Sequence, residues 1–156
     1  DTMNFWIEKK RKELMRVLAR VDGVVINENE ARQLAGEASL IKSARKIHSW
    51  GPQKVIIKKG EHGVLLFDGG NFFPLPGYPL ETVFDPTGAG DSFAGAMTGY
   101  LAETGDLSFE NLKRAAAYGA GVASFAVEDF SLDRLRRLDR PQIEERLEIF
   151  KKLCSF

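Results

Sequence analysis

Apolar residues recur along this chain in two periods, and the switches between them predict its elements. Over residues 5–20, Ile7, Leu14, Val17 and Leu18, with Val21 beyond, fall near one face of a helix. Val24-Val25-Ile26 is a short β-branched run, the mark of a buried strand. A polar stretch from Asn27 to Glu30 follows, then a helical segment to Ala35 that Gly36 stops. Residues 39–50 predict another helix, ended by Gly51-Pro52. Strands are predicted at Lys54 to Lys58 and Val64 to Phe67, joined by a turn that holds Gly60 and Gly63. A second turn, Asp68-Gly69-Gly70-Asn71, leads to a run whose prolines at 74 and 76 mark an edge strand. Further helices are predicted at 89–103, at 109–127 with Ser108 as N-cap, and at 140–150 with Pro141 in the first turn. Gly95 and Gly99 in the first of these suggest close packing against a neighbour, and the small residues Ala115–Ala123 suggest tight packing of the second. Strands alternating with helices predict an α/β fold, Rossmann-like, with a largely parallel sheet flanked by helices. No internal repeat or linker interrupts the pattern, so it reads as one domain.

Composition removes several function classes. Twenty-two basic residues balance 22 acidic ones, which leaves no electrostatic footprint for nucleic acid. The basic cluster at 9–12 is flanked by Glu8 and Glu13 and reads as a solvated helix face. One cysteine, Cys154, excludes an internal disulfide; it reads as inert and fits a reducing, cytoplasmic setting. No apolar run approaches the roughly 18 residues that span a bilayer, and no signal peptide is visible. His48 and His62 have no second metal-type ligand at a useful spacing.

The chemistry concentrates in Asp85-Pro86-Thr87-Gly88-Ala89-Gly90-Asp91. Pro86 fixes a backbone angle, and Gly88 and Gly90 allow a tight turn that a ligand can approach. Phe93, Ala94, Met97 and Leu101 then recur at helical spacing. A glycine-rich turn opening a helix leaves the N–H groups of 88–91 unpaired at the positive end of the dipole, an anion site. Asp91 beside it could take a proton from a hydroxyl, or could be a helix cap, a role Thr87 or Asp85 could also fill. Asn27, just past a strand, is likewise either a ligand or a cap. Spacing alone leaves both questions open.

The stretch resembles the signature D-x-T-G-A-G-D-x-F of the ribokinase-like (PfkB) sugar and nucleoside kinases, with seven positions matched in order. The resemblance implies that Asp91 is the catalytic base and that Gly88, Ala89 and Gly90 form the anion hole. Asn27-x-x-Glu30 matches the family's N-x-x-E, which implies a role in organising Mg²⁺ and phosphates, with Glu28 as a rival by position. Lys58, Gly60 and Gly63 match K-x-G-x-x-G, which implies that Lys58 reaches the nucleotide phosphates and that the backbone at Gly60 passes close to the nucleotide; Lys59 is the rival cation. The resemblance also implies that Ala116, Gly119 and Ala120 lie on a helix that borders the adenine pocket. The loop after that helix, Val127-Glu128-Asp129-Phe130-Ser131, lacks the glycine of the family's monovalent-cation loop, which counts against that cation although Asp85 and Thr87 still offer oxygens.

The resemblance makes residues 1–156 the C-terminal nucleotide-binding and catalytic part of a kinase that uses ATP and Mg²⁺ on a sugar or nucleoside hydroxyl. The acceptor and lid part would be absent, so this chain alone could be inactive. The start at Asp1-Thr2-Met3-Asn4, together with the family's roughly double length, reads as a fragment or one chain of a cleaved protein. A homodimer of the complete protein is compatible with the family, whose dimers often form through the lid. Two rival readings keep the fold without the activity: a nucleotide-binding or regulatory module, and a structural domain in which Asp91 and Asn27 only cap helices.

Overall fold

The computed structural model describes residues 2–155. In chain order the elements are α1 (Asn4–Lys9), α2 (Arg11–Leu18), β1 (Gly23–Asn27), α3 (Glu28–Ala35), α4 (Leu40–His48), β2 (Lys54–Lys58), β3 (Val64–Asp68), β4 (Asn71–Leu75), α5 (Ala89–Thr104), α6 (Phe109–Ala126) and α7 (Arg140–Leu153). Short 3₁₀ turns occupy Gly60–His62 and Leu135–Arg137. The chain divides into two compact units. One runs to Lys59 and includes Val64–Pro74; the other comprises Gly60–Gly63 and the chain from Leu75 onward.

In the first unit the strands follow the order β1-β2-β3-β4. β1 and β2 are parallel, from Gly23 opposite Lys54 to Asn27 opposite Lys58. β2 and β3 are antiparallel, from Lys54 opposite Asp68 to Lys58 opposite Val64. The α/β architecture is as predicted, but the sheet is mixed where the sequence reads as largely parallel. The connection at 59–63 is far shorter than the dozen or so residues a parallel crossover requires. β4 lies at the edge, where Pro74 costs no ladder bond.

Period-two alternation sends Val24, Ile26, Val55 and Ile57 into one core with Ile7, Leu14, Leu18, Leu34 and Ile47 from the helices. The single helix expected over 5–20 is two helices, because Lys10 leaves helical geometry at φ −133°, ψ 35°. Arg11, the first residue of α2, donates to the Leu34 carbonyl at 2.8 Å and lies over the Trp50 ring, which ties the second axis to α3. Val17 is exposed and not part of the buried face.

In the second unit α5 and α6 meet closely. A Cβ on Gly119 would lie 2.8 Å from the Phe93 carbonyl oxygen and 3.2 Å from Met97 Cβ. Gly95 and Gly99 do not carry this contact, contrary to the expectation for them: a Cβ on either would meet nothing within 4 Å. The reason is angular. Two residues along a helix turn about 200°, so 95 and 99 face away from the buried Phe93 and Met97. Gly121 of α6 faces Leu147 of α7 instead. Gly63, at φ +86°, allows a second close approach, since a Cβ there would sit 2.0 Å from the Leu75 carbonyl oxygen. No helix of the described residues is long and apolar enough to cross a membrane.

Gly119→Ala is expected to destabilise the protein by about 1–3 kcal/mol, the usual cost of overpacking. Gly95→Ala is expected to stabilise it by up to about 1 kcal/mol through helix propensity. Urea unfolding of both variants checks the two signs; shifts in the same direction would contradict the packing assigned to the two positions.

Candidate functional site

The first unit presents polar groups where its parallel pair ends. Asn27 closes β1 and Lys58 closes β2, directly opposite in the register. The carboxyl ends of parallel strands are where open α/β sheets bind ligands. Asn27 is also the N-cap of α3: its Oδ1 accepts from the Glu30 N–H at 2.8 Å, and Glu30 Oε2 accepts from the Asn27 N–H at 3.2 Å. This reciprocal capping box fixes both side chains at the positive end of a helix. Glu30 is only 8% exposed, and the Thr2 hydroxyl donates to the same Oε2 at 3.2 Å. Thr2 lies 28 residues away in the chain, and no local pattern in the sequence marks it. Glu28, the rival carboxylate, is engaged with Arg32 at 3.2 Å one turn along α3. Lys58 is half-buried, and Lys59 follows it beyond the strand end.

The two glycines after Lys58 have different tasks. Gly60 holds φ +58° and a Cβ there would meet open space, so only backbone conformation requires glycine. Gly63 is required by its contact with the backbone of 75–77. Of the small residues on α6, Ala116 is fully buried and Gly119 is occupied by the contact with α5. Ala120 is half-buried and is the one of the three with surface to offer.

The second unit carries the glycine loop. Phe84 and Asp85 donate their N–H groups to the Val127 carbonyl at 2.8 and 3.4 Å. Asp85 Oδ1 accepts from the Thr87 N–H at 2.9 Å and Oδ2 from the Ser131 N–H at 3.5 Å. Asp85 thus forms an Asx turn that starts the loop. Hydrogen bonds from the Thr87 backbone and side chain, with Ser131 adding to them, hold its carboxyl below its ordinary value of 3.8. Gly88 then turns left-handed, at φ 79°, and is the N-cap of α5.

No side chain caps α5. Asn27, Ser39, Ser108 and Asp139 cap α3, α4, α6 and α7, whereas the short α1 and α2 also begin without a side-chain cap. Asp91 therefore does not serve as the cap; it is exposed, in the first turn of the helix. One expectation needs correction. The Ala89 N–H is not unpaired but bonds the Pro86 carbonyl at 3.3 Å, because the turn into the helix closes on itself there. The N–H groups of Gly88, Gly90 and Asp91 carry no hydrogen bond among the described residues. Three backbone donors and an exposed carboxylate thus share one turn.

Other candidates carry less. No three His, Cys, Asp or Glu side chains converge as a metal cage among the described residues. Cys154 is half-buried and burial pushes its thiol up, away from the reactive thiolate.

A depressed carboxyl value in the folded state gives stability that is complete above the unfolded value and is lost as pH falls through the folded one. Asp85 therefore contributes above its ordinary 3.8 and loses its contribution below it. Asp85→Asn is expected to show a shallower loss of stability than wild type between about pH 5 and about pH 3. Urea titrations at the two pH values check this; Asp106, held low in the same way by Ser108, titrates in both proteins.

Known proteins resemble this chain in sequence and in fold. The profile of the pfkB family of carbohydrate kinases matches residues 3–135. A cytidine kinase of Thermococcus kodakarensis is 44% identical over 95 residues, which cover 58% of this chain and 34% of that protein. A ribokinase of Mus musculus is 36% identical over 105 residues, or 62% of this chain and 32% of that one. Among solved structures, the ribokinase of Arabidopsis thaliana complexed with ribose and ATP superposes with a TM-score of 0.74 at 26% identity, covering 86% of this chain and 43% of that chain. Aminoimidazole riboside kinase from Salmonella enterica shares the fold, with a TM-score of 0.80 over 90% of this chain and 46% of that one. The chain spans about a third of the length of the curated relatives it matches. With the family profile matched over most of its length, this chain belongs to the pfkB family of carbohydrate kinases.

Proposed function

We propose that residues 1–156 form the nucleotide-binding and catalytic part of an enzyme that moves the γ-phosphoryl group of ATP to a hydroxyl of a sugar or nucleoside. The observation that carries this reading is the uncapped start of α5, where the free N–H groups of Gly88, Gly90 and Asp91 adjoin the exposed Asp91 carboxylate. Phosphoryl transfer depends on positioning and on stabilising the charge that spreads over the moving oxygens. Backbone amides fixed in advance do this without reorganising. Asp91 takes the proton of the attacking hydroxyl and stays within the same turn as the amides that hold the phosphoryl group.

By the family pattern, Asn27 and Glu30 are the residues that would hold Mg²⁺ and its phosphates through water, and Lys58 is the cation that would meet the phosphate tail. Magnesium keeps most of its waters and needs only one or two carboxylates, so one buried Glu suffices. When bound, the ion neutralises charge on the nucleotide phosphates. The capping box gives Glu30 a fixed rotamer for that task. Gly60 lets the nucleotide approach the backbone, and Ala120, beside Ala116 and Gly119, is the small residue next to the adenine. Asp85 and Thr87 act in this reading as the brace of the loop, because the Asp85 oxygens are already engaged. The named relatives include nucleoside and sugar kinases, which supports either acceptor class.

A purely structural domain would also use Asn27 and Glu30 as a capping box; what favours the kinase reading over it is the glycine loop that leaves three amides free beside the exposed Asp91. In the complete protein Asp91→Asn is expected to lower turnover by about 10² to 10⁴, the usual contribution of a general base. Affinity for Mg·ATP by calorimetry is expected to change little. A panel of nucleosides and sugars should give ADP only when an acceptor alcohol is added. Near-normal turnover in Asp91→Asn, or ADP release that ignores the alcohol, would overturn the reading.

A further inference from the structure

The loop at 127–131 leads out of α6 and braces the phosphate loop from behind. Its Val127 carbonyl holds the Phe84 and Asp85 N–H groups, and its Ser131 N–H reaches Asp85 Oδ2. Ser131 lies at φ 54°, the one non-glycine residue at positive φ among those described. Such a residue persists where its surroundings over-determine it, and such residues gather at ligand clamps. The same loop carries a carboxylate paired on both oxygens. Glu128 Oε1 pairs with Arg146 Nη2 at 2.6 Å, and Oε2 pairs with Arg134 Nε at 3.2 Å.

The two arginines are themselves fixed. Arg146 Nη1 donates to the Ser124 hydroxyl at 3.0 Å, and its guanidinium carbon lies 3.3 Å from the Phe125 ring centroid. The Arg134 guanidinium carbon lies 4.6 Å from the same ring. Side-chain exposures of 15%, 20% and 26% for Arg146, Arg134 and Glu128 put these pairs outside the freely solvated class that contributes little. Planar guanidinium groups stacked on one ring give the carboxylate between them a single orientation. Arg137 pairs with Asp129 on the outer side of the same loop.

We propose that Glu128 is a positioning residue of the phosphate site: gripped by Arg134 and Arg146, it fixes the Val127 carbonyl and the Ser131 amide, and these set the Phe84–Thr87 backbone that aims the amides of Gly88, Gly90 and Asp91. The inference rests on the phosphate-site reading above. Glu128 touches no reacting atom and acts only through the loop.

The test uses inorganic tripolyphosphate as probe, titrated by calorimetry, with amide hydrogen exchange measured on the same proteins. Glu128→Gln keeps the shape but removes the charge both arginines hold. It is expected to weaken tripolyphosphate binding by about 5- to 30-fold. Exchange should quicken at Phe84, Thr87 and Ser131 while the interior amides of α6 keep their protection. Arg134→Gln, which removes one arm of the grip, is expected to shift the same amides in the same direction by less. Glu128→Asp, which restores the charge, should recover part of the affinity. Faster exchange spread evenly over α6 and the loop would make the role one of general stability and overturn the proposal. So would tripolyphosphate affinity equal to wild type in both charge-removing variants. If the wild-type protein takes up no tripolyphosphate, the phosphate-site reading itself falls, whatever the variants do.

Discussion

An α-helix begins with backbone donors that it cannot satisfy from within. Most helices of this chain solve the problem locally, with a polar side chain one residue before the first turn. Like the short α1 and α2, α5 does not, and the loop before it is built around that omission. Gly88 can enter the helix from a left-handed conformation only because it has no Cβ. With the cap missing, the loop has to be held from outside. Asp85 begins the turn, the Val127 carbonyl takes two of its amides, and Ser131 accepts a strained backbone to complete the contact. A cap would have made the helix more stable by about 1 kcal/mol and engaged one of its free amides.

What could be read in advance divides by sequence distance. Caps and stops are local, so Gly36 as a stop and Ser108 as a cap can be read from residue type and the pattern that follows, while Asn27 stays open between cap and ligand. The buried strands are equally plain, since β-branched runs leave few other interpretations. The seven matched positions of the glycine loop identified the family because they combine residue types that no single element would require together. Contacts between distant segments were invisible. The Thr2–Glu30 bond joins residues 28 apart, and the Asp85–Ser131 bond joins residues 46 apart. Nothing in either neighbourhood points to the other.

Glycine shows why even a strong local signal can mislead. Gly95 and Gly99 sit at a spacing that suggests close packing, yet they face outward, while Gly119 makes the contact from the other helix. Residue identity tells that a Cβ is absent but not which neighbour needs it absent. The same ambiguity runs through the turn after Lys58. Gly60 and Gly63 look alike in sequence, but one is open and one is pressed against the backbone of 75–77. Gly77 answers Gly63 from the other side, since a Cβ there would lie 2.1 Å from the Glu61 carbonyl oxygen. A motif with two glycines can thus join one that a ligand approaches to one that fixes the path of the chain.

The charge distribution gives the glycine loop its character. The chain has no formal net charge, and no lysine or arginine occurs between Lys59 and Lys113. Within this stretch, positive potential comes only from oriented amides and the dipole of α5. That choice has a chemical reason. If Asp91 is the base, as proposed, a lysine beside it would pair with the carboxylate and compete with the hydroxyl proton. Amides stabilise an oxyanion without competing for the base, and their direction is set before the substrate arrives. For amides used in this way a rigid backbone is what sets their aim, and the contacts from 127–131 to Phe84 and Asp85 hold that backbone.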